Sequence, residues 1–310
     1  MSMTDNRTHA EGLGGQWAVL LGGDPRAIFD QVVATVLHAG GTRGAWKHVN
    51  NRGIERVMMA WPADQPVRAS VVMQGEEGKN LKPVTAAPLL EGLPNDLMVE
   101  DVHPWKSGVE GNVAVTMTEG RNPLWFYCPT YFRDAEELTP GVTHSFVLGG
   151  LAYSLRRALV DDMTITQGPY FEAHAEKWLA ENPGKERTDV PPLKISMAGK
   201  KIIMPGRVFG EYQVRTRVER VEACKLDKLD IAVLYVAFEF DDRPALHLPI
   251  YVPKPMLKDY EPAEGDEIEA YVWLQGRIID FDPNEAAPDS AEPKHAVPEG
   301  VVAQDGKKKK

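Results

Sequence analysis

The chain has 310 residues, 43% hydrophobic and 26% charged, the balance of an ordinary globular protein long enough for about two domains. Its formal charge of -10 works against nonspecific attraction to nucleic acid or anionic lipid, because binding to polyanions is driven by basic patches that release counterions. Residues 1–15 are polar and carry no apolar signal core, so a cytoplasmic location with no membrane partner is expected.

Trp17 to Leu21 is a short apolar run followed by Gly22-Gly23-Asp24-Pro25, then by Ile28, Val32, Val36 and Leu37 at helical spacing. This predicts strand, turn and helix, with Asp24 as N-cap, Pro25 at the first helical position and Gly40 just past the end. The Asp24 carboxylate would repel a phosphate at that helix terminus, and neither a Walker nor a Gly-x-Gly-x-x-Gly pattern is present. Ile54 to Trp61 and Val67 to Met73 predict a hairpin. After a disordered start over 1–15, a small α/β domain is expected over 16–100. Lys82 to Pro94 contains Pro83, Pro88 and Pro94 without sustained periodicity, which puts a boundary near residue 100.

Val113, Val115 and Met117, the polar turn Glu119 to Asn122, and Leu124 to Tyr127 predict a second hairpin. Thr143 to Val160 reads as a strand passing into a helix, because Leu148, Leu151, Ala152, Leu155 and Leu159 fit a helical stripe that Gly149-Gly150 weakens. Pro169 to Glu181 reads as a helix ended by Asn182-Pro183-Gly184. Residues 101–185 are thus a β-rich unit with a helix. Tyr212, Val214, Thr216 and Val218 then alternate with Gln213, Arg215, Arg217 and Glu219, the period of a half-buried strand. Ile231 to Phe240, the turn Asp241 to Pro244, and Leu246 to Val252 make a third hairpin, and Ile268 to Ile279 a long last strand. Residues 282–310, rich in Pro, Ala, Asp and Glu and ending in Lys307 to Lys310, read as a disordered tail.

One spaced pattern occurs twice: Leu124-x-x-Tyr127-x-Pro129 followed by Gly141, and Leu248-x-x-Tyr251-x-Pro253 followed by Gly265. Each copy links two apolar, β-rich runs, so the match reads as one supersecondary unit used twice. The expected fold class is α+β: a small N-terminal α/β domain, then a β-rich body of two related half-units, the second (186–281) barrel-like. Several strands of this hydrophobicity need closure or cover, which a small barrel supplies. With its Gly265-Asp266 turn leading into Val272-Trp273-Leu274-Gln275-Gly276, the segment 193–280 resembles an oligonucleotide/oligosaccharide-binding (OB) type barrel. That resemblance implies a binding module and raises single-stranded nucleic acid as an alternative ligand.

No chemical motif of comparable strength is present. The eight histidines include no pair at i, i+4. On a helix Glu172 and Glu176 share a face that His174 leaves, so the three read as a solvated surface and no metal or cofactor is expected. Asp161-Asp162 and Asp241-Asp242 suit turns, no Gly-x-Ser-x-Gly elbow occurs, and Cys128 and Cys224 read as free thiols; Cys128 pairing with His144 is the less favoured reading. Trp273, Gln275 and Arg277 fall on one face of the last strand and offer an aromatic surface, an amide and a guanidinium, a combination suited to a partner contact. Tyr127 and Tyr251 read as corner residues whose hydroxyls tie down the following loops. The functional expectation is a nonenzymatic binding or scaffold protein that contacts another protein through its β-rich body. Nucleic-acid binding stands second, disfavoured by net charge, and an enzyme of unfamiliar type third.

Overall fold

The computed structural model describes residues 7–39, 46–50, 52–116, 123–158, 162–239 and 245–279. Gly40, Asp161, the turns at 119–122 and 241–244 and the tail from Asp282 lie outside them.

The first apolar run is a helix where a strand was expected: α1 (Gly14–Leu21) buries Trp17 and Leu20 beside Leu13. A five-residue apolar run is compatible with either period, and one-sided burial at three- and four-residue spacing selects the helix. Trp17 Nε1 donates to the carbonyl of Ala86 at 3.0 Å, tying α1 to the strand beneath it. Gly22 and Gly23, at φ 66° and 91°, turn the chain into α2 (Pro25–His38), whose Ile28, Val32 and Val36 are buried. Below it β1 (Trp46–Val49), β2 (Ile54–Trp61), β3 (Val67–Glu76) and β4 (Lys82–Leu90) form an antiparallel sheet in that order. The expected hairpin is β2–β3. The proline-rich stretch read as irregular is instead β4 and the start of the next strand. Among the described residues β4 pairs with β3 alone, and an edge strand tolerates proline because it owes no N–H on its open side.

Next in the chain come β5 (Leu93–Pro104), β6 (Gly111–Thr116), β7 (Leu124–Cys128), α3 (Tyr131–Asp134) and β8 (Thr143–Arg157). They are followed by β9 (Asp162–Ile165), α4 (Pro169–Glu181), β10 (Leu193–Ser196) and β11 (Ile202–Pro205). The body is completed by β12 (Glu211–Leu226), β13 (Leu229–Phe238), β14 (Leu246–Pro253), α5 (Lys254–Leu257) and β15 (Glu267–Ile278). The protein is mixed α+β, with few helices and a β-rich body. The hairpins β6–β7 and β13–β14 and the helix α4 match their expected positions. β8 is one strand along its whole length where a change to helix was expected, because β5, β14 and β15 all pair with it and tertiary pairing overrides a helical stripe. The approach is close: a Cβ on Gly149 would lie 2.6 Å from the carbonyl oxygen of Glu91.

Strand pairing closes on itself twice. β12, β13, β14, β8 and β15 form one ring, with β15 returning to β12. β5, β6, β7, β15 and β8 form another, with β8 returning to β5. The long antiparallel pair β8–β15 belongs to both rings. The segment 193–280 therefore does not close a ring alone; it borrows β8 from earlier in the chain.

The rings share details of register. β7 runs parallel to β15 with Tyr127 opposite Gln275, and β14 runs parallel to β8 with Tyr251 opposite Leu151. The same residue offset separates Tyr127 from Tyr251 and Leu151 from Gln275. Each ring has an irregularity after a valine, between Val99 and Asp101 in β5 and between Val218 and Arg220 in β12. Gly141 and Gly265, at φ 84° and 89°, donate their N–H groups to Val99 and Val218, each at 2.8 Å.

One hydrophobic core runs through both rings, from Val115, Phe126 and Leu148 to Leu234, Ile250 and Val272. A second core joins α1, α2 and the four-stranded sheet to the outer side of the rings through Trp17, Val71, Trp105, Tyr127, Tyr251 and Trp273.

Candidate functional site

The strand face carrying Trp273, Gln275 and Arg277 is turned toward the N-terminal sheet, and all three residues are buried. Gln275, only 2% exposed, accepts from the Leu90 N–H at 2.7 Å and donates to the Pro88 carbonyl at 2.6 Å. Arg277 donates to the Leu90 carbonyl at 3.3 Å and pairs with Glu91 at 2.9 Å, where Arg68 binds the other carboxylate oxygen. Burial, and then the neighbouring Arg277 charge, push the Arg68 guanidinium below its ordinary range. These groups fasten the end of β4 to β15.

The tyrosine hydroxyls reach back to earlier segments, not on to the loops that follow them. Tyr127 donates to Glu110 at 2.9 Å and Tyr251 to the Glu91 carbonyl at 3.0 Å. The reason is the direction of the rings, which point off the β-rich body into the core beneath the N-terminal sheet. Pro129 follows β7, Pro253 ends β14, Leu124 pairs with Val115 on β6, and Leu248 pairs with Val236 on β13.

Glu110 is 3% exposed, and no ion pair reaches it among the described residues. Its carboxylate accepts from Tyr127, from Thr85 at 2.5 Å and from Ser107 at 3.3 Å. Burial pushes its carboxyl above the usual range, against the pull of the three hydroxyls. Nearby, the segment from Arg7 to Leu13 crosses the body: Thr8 bridges to Val208, and His9 stacks between His103 and Phe209 at 3.6 and 4.1 Å. It flanks two concavities of about 280 and 210 Å³, the larger open to solvent, that share Gly12, Leu13 and Trp105 as walls.

A larger open trough of about 560 Å³ runs beside β11. Leu155, Met197, Ile202 and Met204 supply apolar lining, and Arg156, Arg215, Glu269 and Tyr271 the polar part. The arginine heads are occupied: Arg156 holds Glu269 at 2.6 Å, while Arg215 holds Glu269 at 3.0 Å and Glu267 at 2.9 Å. The Gly199 N–H, at 2.7 Å, and the Arg215 charge hold Glu267 below the usual carboxylate range. Met204 is 50% exposed, and Tyr170 on α4 reaches 75%. Only Ala175 of α4 is buried, with Glu172 engaged by Arg187 and His174 near the Pro191 carbonyl at 3.2 Å.

Sequence reading missed Glu110, Trp105 and Met204. Glu110 lies in a short connection between β5 and β6 and acquires its partners from Thr85 and Tyr127 on other elements, so no local pattern signals it. Met204 had a weak signal in the apolar triplet Ile202-Ile203-Met204.

Cys128 is buried and Cys224 half-buried, both as free thiols; burial pushes Cys128 up to about 12. Among the described residues no group of three or more His, Cys, Asp or Glu side chains is arranged to hold a metal ion, and no helix is long and apolar enough to cross a membrane. Compared with protein-family models and with curated proteins, the sequence finds no match.

Proposed function

We propose that the chain is a nonenzymatic, cytoplasmic binding or scaffold protein that contacts another protein through its β-rich body, taking an extended segment of that partner along the open edge of β11. The supporting observation is the edge itself. Among the described residues β11 pairs with β12 alone, and the apolar trough with its half-exposed Met204 runs beside it. An added strand gains main-chain hydrogen bonds from such an edge and side-chain selectivity from a neighbouring groove. Edges without that use are ordinarily blunted by charge, proline or cover. Pro205 does so at one end only.

Single-stranded nucleic acid, the ligand implied by the barrel resemblance, is the alternative. Against it stand the net charge of -10 and the engagement of Arg156 and Arg215 by Glu267 and Glu269, which leaves those cations little attraction for phosphates.

The two rings are, in this reading, copies of one duplicated unit, and α1, α2 and the four-stranded sheet are a small N-terminal α/β unit laid over them. The matched parallel registers, the matched irregularities in β5 and β12 and the matched glycine turns support the duplication.

Purification of the full chain at native abundance, beside Met204→Asp, tests the edge. A stoichiometric protein that copurifies with the wild type and is lost from a variant of unchanged melting temperature supports it. Retention by that variant removes β11 from the contact, and copurifying single strands with steep salt dependence favour the alternative.

A further inference from the structure

Trp105 walls two cavities, and both are acidic and aromatic. Glu11 and Glu110 line the larger with Phe29, and Glu211 the smaller with Tyr153 and Trp273; among the described residues neither wall includes a lysine, arginine or histidine. Glu110 is buried against hydroxyls, which donate hydrogen bonds but bring no positive charge. Trp105, 8% exposed, has an indole N–H with no hydrogen-bond partner. A buried carboxylate facing no cation and a buried donor facing no acceptor are complementary to one kind of molecule.

We propose that this crevice binds a small zwitterion, its ammonium group set against Glu110 and its carbonyl or carboxylate oxygen taken by the Trp105 N–H. The aromatic walls suit the ammonium end, since a cation is drawn to the face of an indole or phenyl ring. The larger concavity, about 280 Å³ and open to solvent, offers room for a ligand of amino-acid size. The segment Glu11–Leu13 is part of the wall, so the chain's own N-terminal segment would flank the ligand. The Glu11 carboxylate is itself positioned there by the Lys106 N–H at 3.3 Å.

Calorimetric titration of the full chain with 4-aminobutanoate, butylamine and butanoate separates the two recognition elements. The expected order is 4-aminobutanoate tighter than butylamine, with butanoate not binding at low-millimolar concentration. Glu110→Gln should weaken both amines by about ten-fold or more, the worth of one charge-assisted hydrogen bond. Trp105→Phe should bring 4-aminobutanoate down to the affinity of butylamine. Absence of amine binding, butanoate binding as well as the amines, or unchanged binding by a folded Glu110→Gln variant would overturn the proposal. Should Glu110→Gln fail to fold, the ranking of the three probes on the wild type decides alone.

Discussion

Gln275 on β15 accepts the backbone N–H of Leu90 at 2.7 Å, and the same amide donates to Pro88 at 2.6 Å, so one side chain closes the end of β4 against the rings. Its replacement is expected to act on folding. Gln275→Ala leaves a buried donor and a buried acceptor unpaired and should cost about 2–4 kcal/mol, since each stranded group carries its own desolvation penalty. Equilibrium denaturation measures the loss; a change within about 0.5 kcal/mol, the range of an exposed polar site, would refute this stapling role.

Trp17 performs a related task from the helical layer, with its indole N–H on Ala86 at 3.0 Å. Trp17→Phe retains much of the apolar burial but leaves the Ala86 carbonyl without that donor. A loss of about 1–2 kcal/mol is expected, read as a lower denaturant midpoint at unchanged slope.

Elements with a local cause are the ones legible in the chain. Asn182-Pro183-Gly184 ends α4 where the punctuation says, and alternation marks the strand at Tyr212 to Val218. The half-missed β8 is different, because Leu148, Leu151 and Leu155 fit a helix and only three distant strands make them a strand. Ring closure is equally nonlocal: β14 meets β8 through Tyr251 and Leu151, about a hundred residues apart in the chain. Polar Gln275 and Arg277 look wet in sequence, and what covers them, the end of β4, lies in a stretch whose prolines disguise a strand.

Gly141 and Gly265 provide a paired test of the duplication. Both occupy the left-handed region, at φ 84° and 89°, and both donate to a valine carbonyl at 2.8 Å. Alanine at either should cost about 1–2 kcal/mol, the ordinary penalty for a side chain in that region. Near-equal losses in equilibrium unfolding are expected if the two turns are copies. A tolerated substitution at one beside a large loss at the other would argue that the turns do different work.

Glu110 predicts a pH dependence of opposite sign to that of most carboxylates. Its folded-state pKa is raised, chiefly by burial, so the folded protein binds this proton more tightly than the unfolded chain does. The group's favourable contribution is therefore complete below the unfolded carboxyl range, near pH 4, and is lost as pH rises through the raised folded value. Glutamine cannot ionise, yet its oxygen can still accept from Tyr127 and Thr85 while its amide N–H donates to the Ser107 hydroxyl. Glu110→Gln should thus gain in melting temperature relative to the wild type as pH climbs from about 4 to 7, with the difference smallest at the acid end. A saturating amine should shrink that gap at neutral pH, because an ammonium beside the carboxylate stabilises the ionised wild type and has no charge to meet in the variant. Thermal denaturation of both proteins across this range, with and without butylamine, provides the measurement. A gap that narrows as pH rises would show that Glu110 is stabilised as an anion in the folded protein by something other than its three hydroxyl partners.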